Sequence, residues 1–184
     1  MTFIYTYNTS FWKEKTNLND HLELCFLNFR SFDHASIGKG KGCAMFSLAS
    51  RNLSHIRHKI STSNYQIMSV VDETEQNRPY QLVLVYCSSG CPFQKLVHDL
   101  EKILQPNITT LITGDFNFDT KETNSFTNFM KKRMFTQLVK WPTHKKGRTI
   151  DHLYVSKNTQ VNVTRHSPYY SDHDSICIEF ENLP

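Results

Sequence analysis

The chain has 184 residues, 39% of them hydrophobic and 21% charged, a balance that excludes the disordered and fibrous classes and suits one domain with one core. The net charge of +4 fits a polyanionic partner without requiring one. No stretch approaches the ~20 apolar residues of a membrane-spanning helix, and the start, Met1-Thr2-Phe3-Ile4-Tyr5-Thr6-Tyr7, lacks the basic and apolar regions of a secretory signal.

Phe3–Tyr7 is dense in β-formers and predicts a buried strand, and Cys25–Phe29 predicts another. Lys13–Asp20 between them is polar and loop-like. Gly38-Lys39-Gly40-Lys41-Gly42 predicts a hairpin turn before a strand at Cys43–Phe46; it lacks the Gly-Lys-Ser/Thr ending of a phosphate-cradling loop. Tyr65–Val71 and Gln81–Tyr86 predict strands joined by the polar run Asp72–Pro79. After Cys91-Pro92, apolar residues recur at helical spacing (Phe93, Leu96, Val97, Leu100, Ile103, Leu104), with proline suited to the first turn and Pro106 as terminator. Ile108–Thr113 predicts the next strand, and a second helix is expected over residues 121–134 with Phe126, Phe129 and Met130 inward. Strands follow at Ile150–Ser156, Val161–Arg165 and Ser175–Phe180. Strands with helices between some of them make the class mixed α/β.

The five cysteines are odd in number and scattered, and Cys87 and Cys91 have no second pair at zinc-site spacing. They read as reduced thiols, which places the protein inside the cell, nuclear or cytoplasmic. Lys131, Lys132, Arg133, Lys140, Lys145, Lys146 and Arg148 crowd the approach to Asp151. Such a cluster is either a solvated face or a track for a polyanion.

Chemistry concentrates in the second half. Gly114-Asp115-Phe116-Asn117, Thr149-Ile150-Asp151-His152 and Ser171-Asp172-His173-Asp174 each sit at the end of a short apolar run. In extended backbone Asp115 and Asn117 point the same way; the carboxylate can orient or deprotonate a water and the amide can hold it or a phosphate oxygen. A simple turn, with Asp and Asn bonded to nearby N–H groups, is the other reading of this motif. Asp151 shares strand parity with Leu153 and Val155, and an inward carboxylate is expensive unless paired. An imidazole is its natural partner, and bending after Tyr170 brings His173 to it and Asp172 to a metal ion. Mg²⁺ suits such oxygen ligands. Strand ends that gather carboxylates, an amide and an imidazole around a phosphate are the equipment of a metal-assisted phosphodiesterase.

On these motifs the chain resembles the endonuclease/exonuclease/phosphatase superfamily, with its deoxyribonuclease-like fold. Leu84-Val85-Tyr86 before a helix, Trp141-Pro142-Thr143-His144 and Pro168-Tyr169-Tyr170-Ser171 are similar to endonuclease segments of transposable elements. The resemblance implies two packed β-sheets flanked by helices, a four-layer α/β/β/α sandwich. It implies that Asp115 positions or activates the attacking water and that Asn117 supports it and binds phosphate. Tyr86 would contact the phosphate near the leaving oxygen, and Asp151 would orient His173, which stabilises the pentacovalent transition state. Asp172 would contribute to binding Mg²⁺, with Mn²⁺ as an alternative. The implied substrate is DNA, and the implied setting is a larger transposon-encoded protein.

The family pattern also begins with a strand ending in Asn and a Glu-Thr-Trp motif that supplies the chief metal ligand. Here the matching stretch is Tyr7-Asn8-Thr9-Ser10-Phe11-Trp12-Lys13, with Thr9 at the Glu position and Glu14 out of register. The expectation is therefore a single domain over residues 1–184, incomplete at its N-terminus, with the first strand or strands missing. The expected activity is cleavage of DNA phosphodiesters in an impaired form. The alternatives are an inactive remnant that at most binds nucleic acid, and a phosphomonoesterase of the same superfamily.

Overall fold

A computed structural model describes residues 29–38, 41–48, 58–74, 79–156, 159–169 and 171–180. In chain order the elements are β1 (Phe29–Gly38), β2 (Lys41–Leu48), β3 (His58–Ser61), β4 (Tyr65–Asp72), β5 (Tyr80–Cys87) and α1 (Phe93–Ile103). They continue with β6 (Thr109–Asp115), α2 (Ser125–Lys132), β7 (Thr136–Gln137), β8 (Asp151–Val155), β9 (Val161–His166) and β10 (Ser175–Phe180). A six-stranded sheet runs β3-β4-β5-β6-β8-β7, and β1-β2 and β9-β10 form two separate ribbons. All pairings are antiparallel except β5 with β6. A parallel pair needs a crossover, and α1 supplies it.

Side-chain alternation divides the core. On one face of the six-stranded sheet, Ile67, Val83, Val85, Ile112 and Tyr154 pack against Leu96, Leu100 and Ile103 of α1 and Phe126, Phe129 and Met130 of α2. On the other, Val70, Leu82, Leu111, Leu153 and Val155 pack against Ile176 and Ile178 of β10, while Met68, Leu84 and Tyr86 meet Cys43 of β2. Both ribbons therefore lie opposite the helices, and the sandwich of packed β-layers with flanking helices is the architecture found. Each fully buried Phe or Leu contributes about 1.5–3 kcal/mol.

The strands predicted from apolar runs at Cys43 and beyond are present with shifted ends. β1 and β2, on either side of the glycine-rich run, pair antiparallel with Gly38 opposite Lys41. β1, β3 and β7 were not anticipated. They carry little periodic apolar signal, and β7 is a two-residue edge. The second helix is shorter than expected. Asp119 accepts the Lys121 N–H through Oδ1 and the Glu122 N–H through its carbonyl, which makes residues 119–122 a turn. The helix begins after Asn124, whose side chain accepts the Thr127 N–H while Thr127 Oγ1 accepts the Asn124 N–H in a capping box. The expected strand at Phe3–Tyr7, Cys25–Asn28 of the next one, and Asn8, Thr9 and Glu14 lie outside the described residues.

Any side chain at Gly114 would force the backbone around it to shift. Its φ is +144°, and a Cβ there would lie 1.8 Å from the Val85 carbonyl oxygen on β5. The backbone of β6 approaches β5 this closely just before it delivers Asp115.

Among the described residues no helix is long and apolar enough to cross a membrane, and Cys87, Cys91 and Cys177 are free thiols.

Candidate active site

A polar row crosses the sheet at the end where β5 and β6 finish and β8 begins. Gln66, Tyr86, Asp115 and Asp151 are successive register partners on β4, β5, β6 and β8. Register partners project to the same face, here the face that carries the ribbons. Their neighbours Phe116 and His152 project to the helix face, where the two rings stack at 4.7 Å and 14°. Phe116 also packs on Phe126 at 4.7 Å. The apolar anchor at Phe116 thus sets the direction of the acid beside it.

Directly opposed cross-strand carboxylates repel, and both Asp115 and Asp151 are buried. Burial first, and the Asp151 charge second, push the Asp115 carboxyl up to about 7, against the opposing pull of His173 and the Asn117 N–H. Asp151 is compensated by His173, whose Nδ1 lies 2.9 Å from Asp151 Oδ2. Burial alone would lower the His173 pKa, but the hydrogen bond and charge of Asp151 outweigh it and the net shift is upward. Burial, then the Asp115 charge, raise the Tyr86 phenol.

Asn117 does not reach Asp115 by strand alternation. The strand ends at Asp115, and Asn117 takes a left-handed φ of 56°. Its N–H donates to Asp115 Oδ1 at 2.9 Å, and its amide nitrogen donates to the Cys87 carbonyl at 2.7 Å. The turn reading of this motif is the geometry found, and the turn holds the Asp115 carboxylate. Asp172 and His173 converge because the chain bends there, with the His173 N–H donating to Ser171 Oγ at 3.0 Å. Asp172, with its side chain 57% exposed, meets His144 Nε2 at 3.3 Å.

The structure therefore brings together Tyr86, Asp115, Asn117, Asp151, Asp172 and His173. It adds residues that spacing did not single out. Thr143 Oγ1 accepts the N–H groups of Ile150 and Asp151 at 3.1 and 3.0 Å, and its carbonyl accepts the Asp174 N–H at 2.7 Å. One buried threonine thus ties the start of β8 to the start of β10. Gln66 accepts the Cys43 N–H at 3.2 Å and joins the row to β2. The only sequence signal for Thr143 and His144 was the Pro-Thr-His run; Gln66 gave none.

The basic cluster divides. Lys131 and Lys132 ride on α2, on the helix side of the sheet. Arg133 pairs with Glu101 and Arg148 with Glu122, and Lys140 Nζ donates to the Gln137 carbonyl. Lys145 and Lys146 are exposed on the turn beside Asp172, whose carbonyl accepts the Lys145 N–H at 2.9 Å.

Among the described residues two groups have the donors for a cation: Asp115, Asp151 and His173, and His144, Asp172 and His173, each with ligand atoms within 4.8 Å of one another. Burial, and then the Asp151 charge, raise the proton affinity of Asp115, and a divalent ion beside the two carboxylates would offset both. The carboxylates of Asp115, Asp151 and Asp172 suit a hard, oxygen-preferring ion.

Residues 80–177, more than half of the chain, match the family model described as "Endonuclease-reverse transcriptase". An endonuclease/exonuclease/phosphatase family protein from Bacteroides thetaiotaomicron is similar in structure, with TM-score 0.60 and 14% identity over 90% of this chain and 80% of that one. A mannosyl-6-phosphatase from the same organism gives TM-score 0.59 and 15% identity over 88% and 80%. The catalytic domain of human Nocturnin with bound sulfate gives 0.59 and 19% over 84% and 73%. At these identities the likeness is one of fold. No curated protein sequence matches the chain.

Proposed function

The chain belongs to the endonuclease–reverse transcriptase family within the endonuclease/exonuclease/phosphatase superfamily, and on that premise we propose that it is a divalent-metal-dependent phosphodiesterase that cleaves DNA strands. The observation that carries this reading is the convergence of Asp115, Asp151, Asp172 and His173, from three separate stretches of chain, on one polar face. Superfamily members generally depend on divalent metal. Asp172 would hold Mg²⁺ or Mn²⁺ here, with the charge of the Asp115–Asp151 pair adding attraction. When bound, the ion supplies positive charge to the developing phosphorane and leaving oxygen.

The chain's own groups do the rest. Asp115, raised in pKa and fixed by the Asn117 N–H, is placed to orient a water and take its proton. Asp151 anchors His173 through Nδ1, so that Nε2 is the nitrogen to donate to a non-bridging phosphate oxygen. Tyr86 would present its phenol to the leaving side. Exposed Lys145 and Lys146 favour a polyanion over a small ester, and the setting within a larger transposon-encoded protein is part of the same proposal. Thr9, where the resemblance calls for Glu, makes slow turnover the expectation.

The test is nicking of supercoiled plasmid in Mg²⁺. Slow nicking is expected, abolished by EDTA, by Asp115→Asn and by His173→Ala. Release of phosphate from sugar monophosphates with plasmid untouched would replace this reading with that of a phosphomonoesterase, the activity named for one fold neighbour. Salt-sensitive DNA binding with no cleavage in Mg²⁺ or Mn²⁺ would reduce the protein to a binding remnant.

A further inference from the structure

His144 has no place in the chemistry above, yet it stands at the site wall. It sits in a tight turn: the N–H groups of Thr143 and His144 both donate to the Arg148 carbonyl, and the Gly147 N–H donates to the His144 carbonyl at 2.9 Å. Its ring lies edge-on to His173 with centroids 4.8 Å apart, and the two backbones form an isolated antiparallel bridge.

The hydrogen bonds fix the tautomer. The Lys146 N–H donates to His144 Nδ1 at 3.0 Å. A nitrogen that accepts cannot carry the proton of a neutral imidazole, so the hydrogen is on Nε2. That atom lies 3.3 Å from Asp172 Oδ2. The two partners differ in exposure: the His144 side chain is 12% exposed and the Asp172 side chain 57%. A settled imidazole thus stands, at ion-pair distance, beside a carboxylate that is otherwise open to water and to several rotamers.

We propose that His144 is a positioning residue whose Nε2–H holds the Asp172 carboxylate in the orientation that receives the divalent cation. The inference rests on the reading of Asp172 as a cation ligand. It excludes the other use of the same cluster, in which His144 is itself a ligand. A cation on Nε2 would move the proton to Nδ1, where it would face the Lys146 N–H. Partners of this kind, behind the ligand, typically change metal affinity by about 10- to 100-fold.

Two substitutions separate the two ring nitrogens. In His144→Gln the amide N–H₂ falls near the place of Nε2 and keeps the donor to Asp172. In His144→Asn the amide oxygen falls near Nδ1 and keeps the acceptor for Lys146, but the donor is lost. The readout is Mn²⁺ binding to the metal-free protein by electron paramagnetic resonance. The expected result is wild-type affinity in His144→Gln, and affinity about tenfold weaker in His144→Asn. The reverse order would assign His144 to holding the turn, equal loss in both would make it a ligand, and no loss in either would show that Asp172 needs no holding; each of these overturns the proposal. Long-range proton–nitrogen NMR of the metal-free wild type tests it without any variant: Nε2–H is expected, and Nδ1–H overturns it while leaving the nuclease reading intact. Failure of that reading shows separately, as wild-type Mn²⁺ affinity in Asp172→Asn.

Discussion

The two faces of the six-stranded sheet handle a histidine in opposite ways. On the helix face, His152 stacks on Phe116, its Nε2 within hydrogen-bond distance of the Phe118 and Thr149 carbonyls at 3.0 and 3.1 Å, and Tyr154 Oη lies 3.2 Å from its Nδ1. Burial dominates there and pulls its pKa down to about 4. On the ribbon face, His173 is bound to a buried carboxylate and its pKa is raised. His152 and Asp151 are adjacent in sequence, so one step along β8 separates an environment that refuses charge from one that gathers it. Strand alternation is what lets a packed aromatic core and a polar site share the same strands without neutralising each other.

The largest expected effect comes from emptying the ribbon face of its anchoring charge. Asp151→Asn leaves the size of the side chain and removes the partner that orients and charges His173. Loss of about 10³-fold in cleavage is expected, at the scale of one positioned acid–base group, with the melting temperature near that of wild type. A variant that keeps full activity would show that the His173–Asp151 pair belongs to packing, as the helix-face histidine does.

Gly114→Ala tests the junction between the faces. With Cβ at 1.8 Å from the Val85 oxygen, β5 and β6 must separate, at a cost of about 3 kcal/mol or more. Urea denaturation reads it. A midpoint unchanged from wild type would mean that the close parallel approach is not what holds Asp115 beside Tyr86.

The two histidines also predict opposite pH slopes. For His152 the folded pKa, about 4, lies below the ordinary value of 6.5. The unfolded chain then binds the extra proton as pH falls below 6.5, so stability is complete above that value and declines toward pH 4, by about 3 kcal/mol in total. For His173 the folded pKa lies above 6.5; its contribution is present below 6.5 and is lost as pH rises through the raised value. Denaturation at a series of pH values should show that His152→Gln flattens the acid side and His173→Gln the neutral side. Equal slopes in both variants would erase the distinction between the faces.

The sequence made the two faces legible to different depths. The apolar periods of β4, β5, β6 and α1 placed these elements, because burial of alternate or helical positions is written directly into residue type. The three acidic motifs were legible as strand-end polar groups, and Asp151 as an inward carboxylate needing His173. The route by which Asn117 reaches Asp115 was not, since a left-handed residue after a strand is set by the turn and not by alternation. Thr143 bonds to backbone N–H groups and His144 lies against Asp172 at 3.3 Å, contacts that leave no periodic trace, and the Gln66 tether depends on the packing of β2 onto β4. The basic cluster was misleading for a similar reason. Proximity along the chain put Lys131 and Lys132 beside Asp151, while the chain from α2 to β8 carries them to the opposite side of the sheet.

The smallest expected effect is also the one that reads the ribbon face most directly. With its carboxyl raised to about 7, Asp115 holds a proton over much of the range in which an ordinary Asp, with a pKa of 3.8, is ionised. A divalent cation near it must displace that proton below pH 7 and need not above it. Each pH unit below 7 then weakens Mg²⁺ binding by at most about tenfold, or about 1.4 kcal/mol. The rise in melting temperature on adding Mg²⁺ should therefore be greater at pH 8 than at pH 6, and in Asp115→Asn it should be small and the same at both. The helix face has no such lever, because protonation of His152 lies far below this range. A Mg²⁺ effect equal at pH 6 and pH 8 in the wild type would mean that the cation does not compete with the Asp115 proton, and that the charge gathered on this face serves the Asp151–His173 pair alone.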